Sequence, residues 1–255
     1  MNPQSDLYKK STYINPTIQY LFNYGIFEYD LKDAGFNIIR ELELLSKSKI
    51  KDLESMSKEE RKVAIGKLQL KDSVLKENLK LGFEEARRRF FAYYAIRDDE
   101  VISIKKDAIF LTRELGANNN VGEYLNFREK HEYSSYIRFS KRVEVYYNPI
   151  TIDIKGINHD NLKAHENYMV DFIKSTIAAI ETKSKEEVLS KLSRFADKYK
   201  SFQLPVGYYR EFNERSMYFD GENYFSEDYE IMKSDHINIE YNYFNIIIPF
   251  IKILL

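Results

Sequence analysis

The chain contains no cysteine. That absence rules out disulfides, thiolate-held zinc and a thiol nucleophile together, and it fits a reducing compartment. The chain also lacks any surplus of charge. Its 39 basic side chains face 40 acidic ones, so no global field draws it to nucleic acid, and any such binding has to come from a local basic surface. No apolar run reaches the length of a membrane span. The longest, FNIIIPFIKILL, is too short and carries Lys252, and Pro249 points to a terminal strand docked at a sheet edge. The opening MNPQSDLYKKSTY has no apolar core of the kind a secretory signal needs, so a cytoplasmic protein without membrane association is expected. A Gly-rich phosphate loop, a nucleophile elbow, a Ser/His/Asp arrangement and internal repeats are missing as well. The four histidines, His131, His159, His165 and His236, are scattered. His159 and His165 do not share a helical face as a zinc pair would, so all four read as surface residues.

What is present is an ordinary globular balance, 44% hydrophobic and 31% charged, in a chain of 255 residues that can bury a sizeable core. A strand is expected over Ile26–Asp30, followed directly by a helix. SKEE at Ser57–Glu60 is a capping box that opens a long helical stretch with a break near Leu70–Asp72. Beyond the break, Leu75, Leu79, Phe83, Ala86, Phe90 and Tyr94 step by three or four and share one face, while Gly66 and Gly82 weaken the stretch locally. A strand over residues 100–112 comes next, then the turn cluster GANNNVGE. YSSYIRF and RVEVYY form a hairpin, NPITIDIKGI is a strand ending at Gly156, and residues 160–199 are helical with a break at 182–185. The order predicts an α+β fold with a mainly antiparallel sheet and flanking helices.

Two carboxylates stand out. In EVISIKKDAIFLT, Asp107 interrupts an alternating apolar run, and in GIFEYDLKDAGFNII, Asp30 ends another. A carboxylate buried among apolar neighbours requires a basic group, a hydrogen-bond network or a metal ion. The bland reading is a strand end or an ion pair, with Lys105 or Lys106 as partner. The sharper one places the two strands side by side, so that both carboxylates hold the same divalent cations, as two-metal phosphoryl transfer requires.

The motifs around these aspartates resemble the palm of family B DNA polymerases. EYDLKDAGFNII is similar to that family's first carboxylate motif, in which a strand delivers Asp and turns into a helix. SIKKDAIFL resembles its Asp-Thr-Asp motif, with Asp107 at the second aspartate. SSYIRFSKRVEVYY and ITIDIKGI resemble the hairpin beyond it, ending in Lys155-Gly156-Ile157. The pattern is departed from at Lys105, which replaces the first aspartate, and at Ala34-Gly35-Phe36, which replaces Leu-Tyr-Pro.

The resemblance implies a palm-like region over 1–157 with finger-like helices at about 57–97, and a thumb-like helical region with an aromatic-rich terminal segment over 158–255. It implies a phage-type, magnesium- or manganese-dependent nucleotidyltransferase acting on a nucleoside triphosphate and a DNA or RNA primer-template. Asp30 and Asp107 would be catalytic and hold two ions, with Glu28, Asp33 or Asp99 as further ligands. Lys76, Lys80 and Arg87 would meet the triphosphate. Lys163, Lys174 and Lys191 would touch duplex backbone, and Tyr146-Tyr147 and Tyr208-Tyr209-Arg210 are candidates for base stacking. The rival expectation is a non-catalytic accessory or binding protein of phage origin that keeps the palm fold, in host cytoplasm.

Overall fold

The computed structural model describes residues 6–156, 165–201, 203–204, 218–219, 224–225, 247 and 249–255. Contacts divide the chain into one unit of Met1–Ile18 with Tyr24–Tyr133 and a second of Gln19–Asn23 with Ser134–Leu255. The division falls inside two long strands, whereas the sequence reading divided the chain in order, at residue 157.

In the first unit, strands β1 (Thr12–Ile14) and β2 (Tyr20–Leu31) precede four helices: α1 (Ala34–Glu41), α2 (Lys47–Glu54), α3 (Lys58–Lys71) and α4 (Ser73–Tyr93). Strands β3 (Val101–Lys105), β4 (Ala108–Leu111), β5 (Asn118–Asn120) and β6 (Asn126–Arg138) follow. The strand order is β1-β3-β4-β2-β6, with β5 on β6, and β1–β3, β3–β4, β2–β4 and β5–β6 pair antiparallel. The α+β, mainly antiparallel expectation is therefore met.

The helices form for reasons written in the sequence. Ser57 and Glu60 close the expected capping box at the start of α3. Asp72 then leaves helical geometry and caps α4 through the Leu75 amide, which makes the break. Leu75, Leu79, Ala86 and Phe90 of α4 are buried with Phe27, Tyr29 and Leu31 of β2 and with Phe36, Ile38 and Ile39 of α1. α1 and α4 approach closely because Gly82 leaves room for the Ile38 side chain.

Three expectations are corrected here. Residues 100–112 do not form one strand. They fold back as the hairpin β3–β4, with Lys105 paired to Ala108 and the turn at Lys106-Asp107. Lys106 takes a positive φ of 59°. The physical reason is the Lys-Lys-Asp run: a continuous strand would carry three adjacent charged groups through the sheet, whereas a turn delivers them to solvent. The strand ending at Asp30 begins earlier than expected, at Tyr20, where aromatic residues favour extended backbone. The cluster GANNNVGE is only partly turn, since Asn118–Asn120 pair with β6.

In the second unit, the end of β6 pairs antiparallel with β7 (Glu144–Tyr147), and β7 with β8 (Ile152–Lys155), as the expected hairpin and strand. Gly156 ends β8 at a φ of +87°, where a Cβ would strike the Arg142 carbonyl. Helices α5 (His165–Thr182) and α6 (Lys185–Lys200) pack Phe172, Ile173 and Ile177 against Val188 and Leu192. The C-terminal apolar run is not the docked strand expected. Residues 249–254 are helical, with Phe250 fully buried. A short run that is apolar throughout has no periodicity to separate strand from helix, and Pro249 is compatible with a first helical turn.

Candidate functional site

The first unit contains a cleft of about 490 Å³ whose lining includes Asp30, Asp33 and Asp107 together with Lys58, Lys62, Lys106, Arg128 and Lys130. Strand pairing brings the acids together. β2 lies beside β4 with Asp30 opposite Ala108, and the Leu31 amide donates to the Asp107 carbonyl at 3.1 Å. Asp107 thus stands, half-buried, in the hairpin turn beside the end of β2 and not within the continuous apolar strand expected over residues 100–112.

The period-two alternation of β2 sends Phe27, Tyr29 and Leu31 into the helix-side core and Glu28 and Asp30 to the opposite face. Asp30 is held above the usual carboxylate range, first because burial opposes its charge and then because Asp107 repels it. Lys130 and Arg128 act in the other direction. Arg128 Nη2 is 3.5 Å from Asp30 Oδ2. Asp33, the N-cap residue of α1, takes a positive φ of 45° and pairs with Arg61 at 2.5 Å. Glu28 does not line the cleft. It is 1% exposed and accepts hydrogen bonds from Lys130 Nζ at 3.1 Å and Tyr133 Oη at 3.0 Å.

The remaining expected residues lie elsewhere. Lys76 and Lys80 are exposed on α4 outside the cleft lining, and Lys80 pairs with Glu77. Asp99 is exposed and pairs with Arg97. Arg87 is buried and donates to two backbone carbonyls. Tyr146 and Tyr147 are buried in the second unit, with the Tyr146 hydroxyl donating to Glu144, so their rings are packed and not offered to bases. Lys191 Nζ donates to the Ser175 carbonyl of α5 at 2.6 Å, and burial, then Lys183, hold its ammonium below the usual lysine range. Lys174 is partly buried on α5. His131 is partly buried on β6. Lys163, His159, His236 and Tyr208-Tyr209-Arg210 lie outside the described residues, as does the side chain of His165.

Sequence reasoning missed the cations that line the cleft. Lys58, Lys62, Ile65 and Gln69 repeat at helical spacing along α3, and Arg128 and Lys130 alternate with buried Phe127 on β6. Both periods were available in the sequence, but nothing in it says that these stripes face Asp30. Among the described residues neither Lys58 nor Lys62 has an ion-pair partner. A second depression, of about 660 Å³, includes Arg40, Glu41, Glu54 and Tyr124 in its lining. There Arg40 pairs with Glu54 and stacks 3.9 Å from the Tyr124 ring, and Glu41 pairs with Arg89.

Fold and cleft together define an α+β protein whose antiparallel sheet delivers carboxylates into a lysine- and arginine-lined cleft. The family described as Bacteriophage PBS1 gene 130 protein matches residues 1–255, and the chain belongs to that family, which makes it a phage protein. No curated protein matches it. Among the described residues, no helix is long and apolar enough to cross a membrane.

Proposed function

We propose that this protein is a polymerase-like nucleotidyltransferase whose cleft takes a nucleoside triphosphate with divalent cations, at the end of a DNA or RNA primer-template. The observation that carries the reading is the joint delivery of Asp30 and Asp107 to one cleft from a strand and the hairpin turn beside it. Their mutual repulsion, felt by Asp30, is what a shared cation relieves. The donor set fits magnesium or manganese: hard carboxylate oxygens, with no thiol anywhere in the chain. Asp30 and Asp107 would hold the ions, with Asp33 within the same cleft. Such ions would neutralise charge on the transferring phosphate and acidify the attacking hydroxyl. Lys58 and Lys62 of α3, Lys106 of the turn and Lys130 of β6 would bind and orient the phosphate oxygens, as ammonium groups do in phosphoryl-transfer sites. The strand–helix junction after Asp30 and the hairpin at Asp107 support the palm-like reading.

One observation favours the rival, a non-catalytic phage accessory protein. Arg61 pairs with Asp33, and Arg128 and Lys130 partly compensate Asp30. Calorimetric titration with Mn²⁺ separates the two. Nucleotidyl transfer expects binding in the millimolar range or tighter that disappears in the double variant Asp30→Asn, Asp107→Asn. Negligible heats in both proteins, unchanged by added triphosphate and primer-template, would leave the accessory role.

A further inference from the structure

We propose that Arg87 is a positioning residue that sets the hairpin turn bearing Asp107, and that through it the segment around Tyr8 is mechanically tied to the cleft. The significance for metal binding rests on the proposed function; the positioning of the turn does not.

Arg87 lies on the buried face of α4, next to Ala86 and one turn before Phe90 and Phe91, and is 3% exposed. A leucine or methionine there would pack without burying a charge. A buried guanidinium is tolerated only when its donors are satisfied. Arg87 satisfies two of them on backbone, with Nε donating to the Tyr8 carbonyl at 2.7 Å and Nη1 to the Lys106 carbonyl at 2.8 Å. The two acceptors come from segments far apart in the chain.

The turn has reason to need such a clamp. Lys106 is a non-glycine residue at a φ of 59°, a conformation that persists only where its surroundings impose it. Three hydrogen bonds to the backbone of the turn do so. The Lys106 amide donates to the Ser11 carbonyl at 2.7 Å, its carbonyl accepts from Arg87, and the Asp107 carbonyl accepts from the Leu31 amide at 3.1 Å. The turn is therefore gripped by the N-terminal segment, by α4 and by β2. Arg87, the α4 member of this set, bonds the turn and the N-terminal segment at once. Its planar fork donates in two fixed directions, which a lysine ammonium on a flexible stem does not reproduce.

Charge plays a smaller part than geometry. Glu84 and Asp107 favour the guanidinium's charge, while burial is the larger influence and opposes it. Neither carboxylate is within salt-bridge distance of Arg87 among the described residues. The bonds to carbonyl oxygens are what hold the residue in place.

The test is residue-resolved amide hydrogen exchange on Arg87→Lys, with Arg87→Gln carried in parallel in case a displaced lysine charge unfolds α4. The Lys106 and Leu31 amides are expected to exchange about tenfold faster than in the native protein, the effect of losing one charge-assisted bond. Amides elsewhere in β2 and α4 should keep their rates. Uniform acceleration across the unit, or no change at Lys106 and Leu31, overturns the proposal, because a merely structural arginine gives the first and an irrelevant one the second. Mn²⁺ titration of the same variants is expected to show severalfold weaker binding than the native protein. Should the native protein bind no Mn²⁺, the metal reading of the cleft fails, and the amide rates still decide the role of Arg87.

Discussion

Asp30 lies next to the end of β2, with its carboxyl influenced by Asp107 and by the partly compensating Lys130 and Arg128. Its folded-state pKa lies above the ordinary value of 3.8, so the folded chain holds this proton more tightly than the unfolded one. The stabilising contribution is therefore complete below the unfolded value and is lost as pH rises through the folded one. At neutral pH the ionised group works against the fold. Asp30→Asn is expected to melt at a higher temperature than the native protein at pH 7, with the difference shrinking as both are taken to about pH 3. Thermal melts across that range check it, and a variant less stable at pH 7 would mean that the Arg128 pair outweighs burial and repulsion. A raised carboxylate pKa in a cleft is a recognised mark of functional sites, where a group is kept against its own stability. At this scale the sequence was informative about the acids, because a carboxylate in an apolar run is conspicuous. It was uninformative about Lys58, Lys62 and Lys130, since lysine is abundant and an exposed lysine stripe is the ordinary surface of a helix or strand.

The helices α1, α3 and α4 are positioned by small local features that the sequence displays openly. The Ser57–Glu60 box and the Asp72 cap set where α3 and α4 begin. The two helical glycines look alike in sequence, yet their surroundings differ. A Cβ on Gly66 meets open space, whereas one on Gly82 would lie 2.2 Å from the Ile38 side chain and close to Leu42. Gly66→Ala is expected to stabilise the protein by about 0.5–1 kcal/mol, through lost freedom in the unfolded chain. Gly82→Ala should cost about 1–3 kcal/mol, because the overpacking against α1 exceeds the same entropic gain. Urea denaturation of the two variants measures both, and equal effects would deny the close approach of α1 and α4. The hairpin at Lys106-Asp107 belongs to this scale as well. Its apolar flanks read as one strand because both halves alternate, and only the pairing of Lys105 with Ala108 reveals the turn.

Within the first unit, the core joins the helices to the sheet through aromatic contacts. Phe90 is fully buried and lies against Tyr29 of β2, Phe127 of β6 and Tyr94, with ring centroids 5.8, 4.4 and 5.3 Å apart. Phe90→Ala should destabilise this unit by about 3–5 kcal/mol, the cost of a large aromatic cavity. The chain has no tryptophan, so tyrosine fluorescence with far-UV dichroism is the suitable readout of denaturation. A loss below 1 kcal/mol would show that the site collapses around the missing ring. The second unit has its own core, and Tyr136 and Tyr146, buried in that unit, both donate to buried Glu144. Tyr146 and Tyr147, which in sequence suit base stacking, are absorbed there by packing.

The sequence by itself determined the α+β class, the capped helices, the break at Asp72, the β6–β7 hairpin and the two aspartates, because each depends on neighbours a few residues away. Periodicity, capping and turn chemistry are local, and they survive in a one-dimensional reading. Tertiary structure alone decided that Asp107 stands in a turn, that α3 and β6 bring their cations to Asp30, and that Arg87 grips the carbonyls of Tyr8 and Lys106. Those outcomes rest on strand pairing and on hydrogen bonds to backbone groups. Every residue carries such groups, so no side-chain pattern marks in advance which of them will be used.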